Sequence, residues 1–434
     1  MTVPKRRRRT GPLTASIRMP GDKSISHRAL FLAALADGRS SITGLNDGDD
    51  VHRTATALRA FGLAVPSAEP SVPLEVEGSP LAAWRAPADV VDAGNSGSTA
   101  RMLAGLAAGV DGLTVITGDA SLRRRPMLRV VAPLRAMGAS IDGREHGDRL
   151  PLAVRGGALT GIDHETSIAS AQVKTCLLFA GMNATGRTSV TEPVSSRDHT
   201  ERMMATAGIE IVTSGTTAAV EGGRAPNGVD WQVPGDISSA IFFVVAATLI
   251  EGSDLTIEDV GLNPTRTGAL EILRAMGADL EMHVERTIGG EPIGYLVARA
   301  SQLHGVQVDA DQIPASIDEI PILAIAAAHA EGTTVFHGVE ELRAKESDRA
   351  AAIATGLGCL GGSATVEGDQ LVIEGPTGLT GGTVESHGDH RIAMAFAIAG
   401  LVSSGAVKVR EWSCVDTSFP GFLDVVARAR GGGS

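Results

Sequence analysis

The chain has 434 residues, 43% apolar, 20% charged and only 3% aromatic, with a formal net charge of −12. That length accommodates two or three domains with sizeable cores, and the acidic balance argues against a general nucleic-acid or membrane surface, so an anionic ligand must depend on locally clustered Lys and Arg. The scattered cysteines Cys176, Cys359 and Cys414 imply no disulfide framework and fit a reducing cytosol, no free-standing apolar run reaches membrane-spanning length, and the basic run at 5–9 lacks the apolar segment of a signal peptide and is expected to be a solvated terminus.

In chain order, a short strand is expected over 14–19. The corner Pro20-Gly21 follows, then Asp22-Lys23-Ser24-Ile25-Ser26-His27-Arg28, which runs into the apolar helix residues 29–35. A helix start presents unpaired N–H groups and the positive end of the macrodipole, and Lys23, Ser24 and Arg28 add two cations and a hydroxyl. The alternative here is a solvated helix end with Ser24 or Ser26 as N-cap. A nucleotide phosphate loop is rejected, because the glycine directly before the lysine is missing. Asp92-Ala93-Gly94-Asn95-Ser96-Gly97-Ser98-Thr99-Ala100-Arg101 is a glycine-rich loop entering a second helix, and its glycines let N–H groups approach an anion. Arg123-Arg124-Arg125 before Pro126 is either a solvated charge run or a cationic site relieved by a bound anion.

Ser170-Ala171-Gln172-Val173-Lys174 and Ser196-Arg197-Asp198-His199 each open a helix, with both serines fitting as N-caps. Pro234-Gly235-Asp236-Ile237-Ser238-Ser239 repeats the first corner without its lysine and arginine. Asp318-Glu319 starts another apolar helix and reads equally as a cap. Arg343, Lys345, Glu346, Asp348 and Arg349 begin one more, either as a site or as a surface ladder worth only ~0.2–0.5 kcal/mol per pair. Asp389-His390-Arg391 opens the last; with His387 it finds no third ligand at useful spacing, so no metal is expected. Gly356-Leu357-Gly358-Cys359-Leu360-Gly361 matches a dinucleotide fingerprint letter by letter but follows a helix, so a helix-ending turn is expected there, with Cys359 as a small packed residue.

These motifs fall on a repeat. Six small-residue-rich apolar segments end at Gly38, Gly109, Gly186, Gly252, Gly332 and Gly405, each expected as a buried helix with a glycine C-cap. A β-rich run follows every one, at 40–43, 113–117, 188–191, 254–258, 333–337 and 407–412, then an amphipathic helix, the first five of which are expected to close in a glycine before another strand, as at Gly62, Gly138 and Gly277, and the order helix-strand-helix-strand is expected six times. The 214 positions from Gly21 to Gly235 span about three units. Two halves of three units follow, with the strand at 14–19 belonging to the C-terminal half and a ligand cleft expected between them.

Together, Pro20 to Arg28, Gly94 to Arg101, Arg125-Pro126, Ser170 to Lys174, Asp318, Lys345 to Arg349 and Asp389 to Arg391 strongly resemble the 5-enolpyruvylshikimate-3-phosphate synthase family, in order and spacing from about 13 to 422. The resemblance implies an α/β fold, a two-domain inside-out α/β barrel of three βαβαββ units per domain. Its lobes would be 21–234 and 13–20 plus 235–427, with disordered termini at 1–12 and 428–434, and would close over the substrates. It implies an enzyme of the shikimate pathway to chorismate and aromatic amino acids, a cytoplasmic monomer acting on small molecules without metal or cofactor. The reaction implied moves the enolpyruvyl group of phosphoenolpyruvate onto the 5-hydroxyl of shikimate 3-phosphate, releasing phosphate.

By the same resemblance, Lys23, Ser24, Arg28, Ser170, Gln172, Ser196, Arg197, Asp318 and Lys345 hold shikimate 3-phosphate, and Lys23, Asn95, Gly97, Arg125, Gln172, Arg349 and Arg391 hold phosphoenolpyruvate. Two positions depart from the family pattern: Ala171 stands where a serine is common and Thr417 where some members carry a lysine. Two substrates that each carry phosphate and carboxylate require several fixed cations. The addition also needs a base for the hydroxyl and an acid for the methylene carbon. These roles are assigned to Asp318 and to Glu346, the latter with a pKa raised by burial, with Lys23 steadying both substrates and His390 assisting. The related transferase acting on UDP-N-acetylglucosamine is the rival enzyme, but it typically carries a mobile-loop cysteine where this chain has Arg123-Arg124-Arg125. A non-catalytic binder of phosphorylated metabolites is the rival of another class, and retention of Asp318 and Glu346 speaks against it. Gly97 lacks the methyl of glyphosate-tolerant relatives, which implies sensitivity.

Overall fold

The six apolar segments fold as helices that are buried nearly all round: Lys23–Leu35, Gly97–Ala107, Ala171–Met182, Ile237–Leu249, Ile320–Ala327 and His390–Val402. A helix apolar on every face has no solvent side, so each lies inside a layer of others. Small residues set how closely they approach. A Cβ at Gly105 would stand 2.2 Å from the Cys176 carbonyl oxygen, so the second and third of these helices meet backbone to backbone. The computed structural model describes residues 11–67 and 72–431; the basic run at 5–9 lies outside them, as do 1–10 and 432–434 of the expected tails.

The glycine C-caps expected on these six helices are not there. Their C-caps are Ala36, Ala108, Asn183, Ile250, Ala328 and Ser403, and the glycines come later, in the turn that enters the next strand. Four of them, Gly38, Gly186, Gly252 and Gly332, have positive φ. The capping role belongs instead to the amphipathic helices, where Gly62, Gly138, Gly208, Gly277 and Gly361 follow the C-cap with φ between +78° and +110°, a backbone that favours glycine. The dinucleotide-like run is such a helix end, at Arg349–Cys359. Cys359 is exposed there rather than packed, while Cys176 is buried.

Four repeats build the same four-stranded sheet. In each, a leading strand pairs parallel with the strand after the buried helix, which pairs antiparallel with the last strand of a hairpin: Val91–Asp92, Gly112–Thr117 and Arg149–Gly156; Asp163–Glu165, Arg187–Thr191 and Thr217–Glu221; Ser16–Arg18, Asp254–Gly261 and Glu291–Arg299; Gln307–Val308, Gly332–His337 and Gln370–Gly375. This is the βαβαββ unit, with the parallel crossover made through the buried helix. Among the described residues the first repeat has three strands, Asp230–Gln232, Arg39–Thr43 and Leu74–Glu77, and the sixth has two, Gly382–Glu385 and Val407–Arg410. So among the described residues the expected closing strand of the sixth repeat is absent. The last described element is the helix Phe422–Ala429, which enters the stretch from 428 expected to be disordered.

By contacts the chain divides into two units, Gly21–Val233 with Thr287–Glu291, and 11–20, Pro234–Arg286 and 292–431. Each has its own continuous apolar core. In the second unit, Phe422 of the terminal helix lies 5.5–5.9 Å from Phe243 and Phe242 and 5.3 Å from Phe419, a ring cluster that fixes the helix. In the first unit His27 is fully buried with Nδ1 2.7 Å from Thr54 Oγ1. Burial, then Lys23 and Arg28, hold its pKa well below the ordinary value of 6.5. An imidazole kept neutral in the fold but free to protonate when unfolded subtracts stability as pH falls below about 6.5, until the folded-state pKa is reached. Between pH 6.5 and 5.5 His27 should weaken folding by about 1 kcal/mol. Urea unfolding of His27→Gln at the two pH values should show that much less pH dependence than the parent.

Candidate active site

In the first unit the polar residues gather where helices begin. Gly21 is required at the Pro-Gly corner, because a Cβ there would stand 1.8 Å from the Gly44 carbonyl oxygen. Asp22, not Ser24 or Ser26, is the N-cap, with Oδ1 accepting from the Ile25 N–H at 2.8 Å. That leaves Lys23 and Ser24 in the first turn. Lys23 Nζ is 2.8 Å from Asp50 Oδ2, in the first turn of Asp49–Ala60. Ser24 Oγ accepts from Arg197 Nη1 at 3.3 Å.

Arg28, expected as a ligand contact, is held by partners of the protein itself. Its guanidinium is buried, and all three nitrogens donate within the protein: Nε to Thr200 Oγ1 at 2.7 Å, Nη1 to the Ser24 carbonyl at 2.9 Å and Nη2 to Thr175 Oγ1 at 2.8 Å. Burial pushes its pKa down to about 10, opposed by the nearby Glu201. It stays charged at neutral pH and braces the starts of three helices.

A second group surrounds Gly97, the first residue of its helix, whose N-cap Ser96 accepts from Thr99 N–H. A Cβ at Gly97 would lie 2.8 Å from Arg101 Nη1, 3.4 Å from Arg125 Nη1 and 3.6 Å from Gln172 Oε1. Arg101 Nη1 donates to Gln172 Oε1 at 2.6 Å, Gln172 Nε2 to Ser98 Oγ at 3.0 Å, and Arg125 Nη2 to Asn95 Oδ1 at 2.6 Å. The arginine run divides here. Arg125 is buried toward this group, while Arg123 and Arg124 point into solvent, so the three do not act as one cationic site.

A third group links Ser170 and Ser196. Ser170 is the N-cap of Ala171–Met182. Ser196 caps nothing; its N–H and Oγ both donate to Glu192 Oε2, at 3.2 and 2.8 Å.

The second unit holds a separate cluster around Arg349, whose buried guanidinium carries three carboxylates. Nε donates to Asp389 Oδ2 at 2.8 Å, Nη1 to Asp318 Oδ1 at 3.1 Å and Nη2 to Glu346 Oε2 at 2.6 Å. Burial alone would lower its pKa, but Asp389, Glu346 and Asp318 together drive it above the ordinary arginine value. Lys345 Nζ stands 3.8 Å from Asp318 Oδ1. Asp318 is therefore no helix cap, and Glu346–Arg349 is no surface ladder. Glu346 is also not an isolated desolvated carboxyl, since it is ion-paired. Asp389 is the N-cap of the last buried helix, accepting from Arg391 N–H at 2.9 Å. Arg391 Nη1 lies 3.7 Å from Glu319 Oε1, and Thr417 Oγ1 lies 3.4 Å from His390 Nδ1. Among the described residues no group of His, Cys, Asp or Glu has the arrangement of a metal site, and no helix is long and apolar enough to cross a membrane.

Sequence reasoning missed Asp50, Glu192 and Arg266, and read Glu319 only as a helix cap. Asp50 sits with Asp49 in the first turn of a helix, which looks like simple capping, and Glu192 lies ahead of Pro193 just after a strand. Buried Glu319 bonds the Ser238 hydroxyl and lies 3.7 Å from Arg266 Nη2.

A family model described as EPSP synthase (3-phosphoshikimate 1-carboxyvinyltransferase) matches residues 8–426. The chain is 50% identical over 419 residues to the 3-phosphoshikimate 1-carboxyvinyltransferase of Synechococcus sp. (strain JA-3-3Ab), covering 96% of this chain and 94% of the relative. It is likewise 50% identical over 420 residues to that of Gloeobacter violaceus, covering 96% and 97%. Among solved structures, EPSP synthase from Acinetobacter baumannii superposes with a TM-score of 0.85 at 43% identity over 97% of this chain and 96% of that one. The enolpyruvyl transferase NikO from Streptomyces tendae superposes with a TM-score of 0.78 at 17% identity over 97% and 96%, a likeness of fold alone.

Proposed function

Since this chain belongs to the EPSP synthase family, we infer that it is a 3-phosphoshikimate 1-carboxyvinyltransferase. It transfers the enolpyruvyl group of phosphoenolpyruvate to the 5-hydroxyl of shikimate 3-phosphate and releases phosphate, in the shikimate pathway to aromatic amino acids. The observation that carries this is the unbroken match along residues 8–426 at about half identity to curated relatives. Incubating the protein with both substrates and following phosphate release tests it. Release with UDP-N-acetylglucosamine in place of shikimate 3-phosphate, and none with the latter, would overturn it.

The site follows as a proposal from the positions described. Lys23, Ser24, Ser170, Gln172, Ser196, Arg197, Asp318 and Lys345 hold shikimate 3-phosphate, and Arg28 serves it by bracing those helix starts. Lys23, Asn95, Gly97, Arg125, Gln172 and Arg391 hold phosphoenolpyruvate, and Arg349 contributes through the acids it orients. Asp318 takes the hydroxyl proton, Glu346 delivers a proton to the methylene carbon and His390 assists. Fixed cations at helix starts suit substrates that bring phosphate and carboxylate together. The protein acts as a cytoplasmic monomer.

Gly97 gives the proposal a local test. A methyl there presses on the Arg101 guanidinium at 2.8 Å and narrows the space beside Arg125. Gly97→Ala should raise the KM for phosphoenolpyruvate about 10-fold, leave that for shikimate 3-phosphate nearly unchanged, and convert a glyphosate-sensitive enzyme into a tolerant one. Steady-state kinetics with and without the inhibitor would read all three, and an unchanged phosphoenolpyruvate KM would remove Gly97 from that subsite.

A further inference from the structure

Glu192 opens the loop that carries Ser196, four positions on, and reaches across to Ser170 at the start of the helix Ala171–Met182; both serines are assigned above to shikimate 3-phosphate. Its carboxylate is buried and accepts from both sides: Oε1 takes the Ser170 N–H at 2.8 Å, and Oε2 takes the Ser196 N–H at 3.2 Å and the Ser196 hydroxyl at 2.8 Å. Lys174 Nζ, on the helix that Ser170 caps, reaches the same Oε2 at 2.8 Å and Glu201 Oε1 at 2.8 Å. A buried carboxylate with one unpaired charge would be costly, and here each oxygen is supplied with donors. Charges balance as well, because Lys174 offsets Glu192 while Arg28 stands close enough to Glu201 to feel its field. Burial lowers the Lys174 pKa, but Glu201 and Glu192 outweigh it and hold the ammonium charged.

We propose that Glu192 is a positioning residue for the phosphate of shikimate 3-phosphate, clamping the Ser170 and Ser196 loops at a fixed separation. The proposal rests on the assignment of those serines to that substrate. A hydroxyl has one proton, so Ser196 cannot donate to Glu192 and to a phosphate oxygen together. When the phosphate takes that proton, Glu192 still holds the Ser196 N–H, the Ser170 N–H and Lys174, and the loops keep their places. Two backbone donors on one carboxylate thus fix where the phosphate-facing hydroxyls stand, without Glu192 touching the substrate.

The test separates positioning from charge. Glu192→Gln removes a negative charge beside an anion subsite, so a purely electrostatic role predicts tighter shikimate 3-phosphate binding. It also turns an NH2 group toward donors, so a clamp predicts weaker binding. The expected result is a rise of about 10-fold in the KM for shikimate 3-phosphate, with kcat within about 3-fold and the phosphoenolpyruvate KM unchanged. Glu192→Asp keeps the charge but is one methylene short of spanning both loops; it should show the same substrate-selective rise, and it serves if the glutamine variant does not fold. An unchanged or lower shikimate 3-phosphate KM in the folded variant, or an equal loss for both substrates, overturns the proposal. Ser196→Ala is the control on the underlying assignment. If it leaves the shikimate 3-phosphate KM unchanged the assignment itself fails, whereas a rise there with none in the Glu192 variants sinks the clamp alone.

Discussion

Asp318→Asn should lower kcat by about 10³-fold while leaving the dissociation constants of both substrates within a few-fold. The substitution is nearly isosteric, and the asparagine oxygen can still accept from Arg349 Nη1, now 3.1 Å from Oδ1. What it removes is the ability to take a proton. Arg349 is bonded to Asp389 and Glu346 as well, so it keeps its place when Asp318 loses its charge. Rapid-quench measurement of a single turnover, beside calorimetric titration of shikimate 3-phosphate, distinguishes the outcomes. Loss of binding with an intact chemical step would make Asp318 a substrate holder. A loss of both, with a lowered melting temperature, would make it a structural member of the Arg349 cluster.

How far the sequence could be followed depends on what each feature encodes. The repeat was legible because a buried helix must be apolar on all faces and an amphipathic one must not be, and that contrast recurs six times in the chain. The strands after the buried helices fall within a few residues of expectation, as at Arg39–Thr43 and Gly332–His337. The glycines closing the amphipathic helices stand where expected, but the caps of the buried helices were misplaced for a physical reason. Glycine marks a left-handed backbone, but such a backbone occurs both at a helix end, as at Gly62, and in a turn into a strand, as at Gly38, and residue type alone does not separate the two.

The candidate site was legible as a set of motifs at helix starts, but not in which way each cation points. Arg28 and Arg349 look like ligand contacts in sequence because they stand beside polar neighbours. In the fold each is also bonded to partners distant in the chain: Thr175 and Thr200 for Arg28, Asp389 for Arg349. Their partners could not be read from spacing. For Glu192 it holds in part: Ser196 stands only four positions on, but Ser170 lies 22 positions back, across one helix, Ala171–Met182, and two strands, Ala184–Thr185 and Arg187–Thr191.

The second large effect concerns Lys23, and the argument turns on Asp50. The ammonium and carboxylate are 2.8 Å apart and mostly buried, with 16% and 10% of their side chains exposed. Lys23→Met removes a charge-assisted donor to both substrates and leaves Asp50 as an unanswered negative charge beside two anions. Truncating one member of a buried charge pair costs roughly 2–5 kcal/mol, much of it from the partner left behind. The kcat/KM for each substrate should therefore fall about 10³-fold. Asp50→Asn should cost far less, because Lys23 keeps its charge and loses only its orientation. The double variant Lys23→Met/Asp50→Asn should then be more active than Lys23→Met alone, a coupling of the kind that double-mutant cycles isolate. Steady-state kinetics on the three variants suffice. If the double variant is no better than the single, Asp50 is not the source of repulsion, and the whole loss belongs to contacts that Lys23 makes itself.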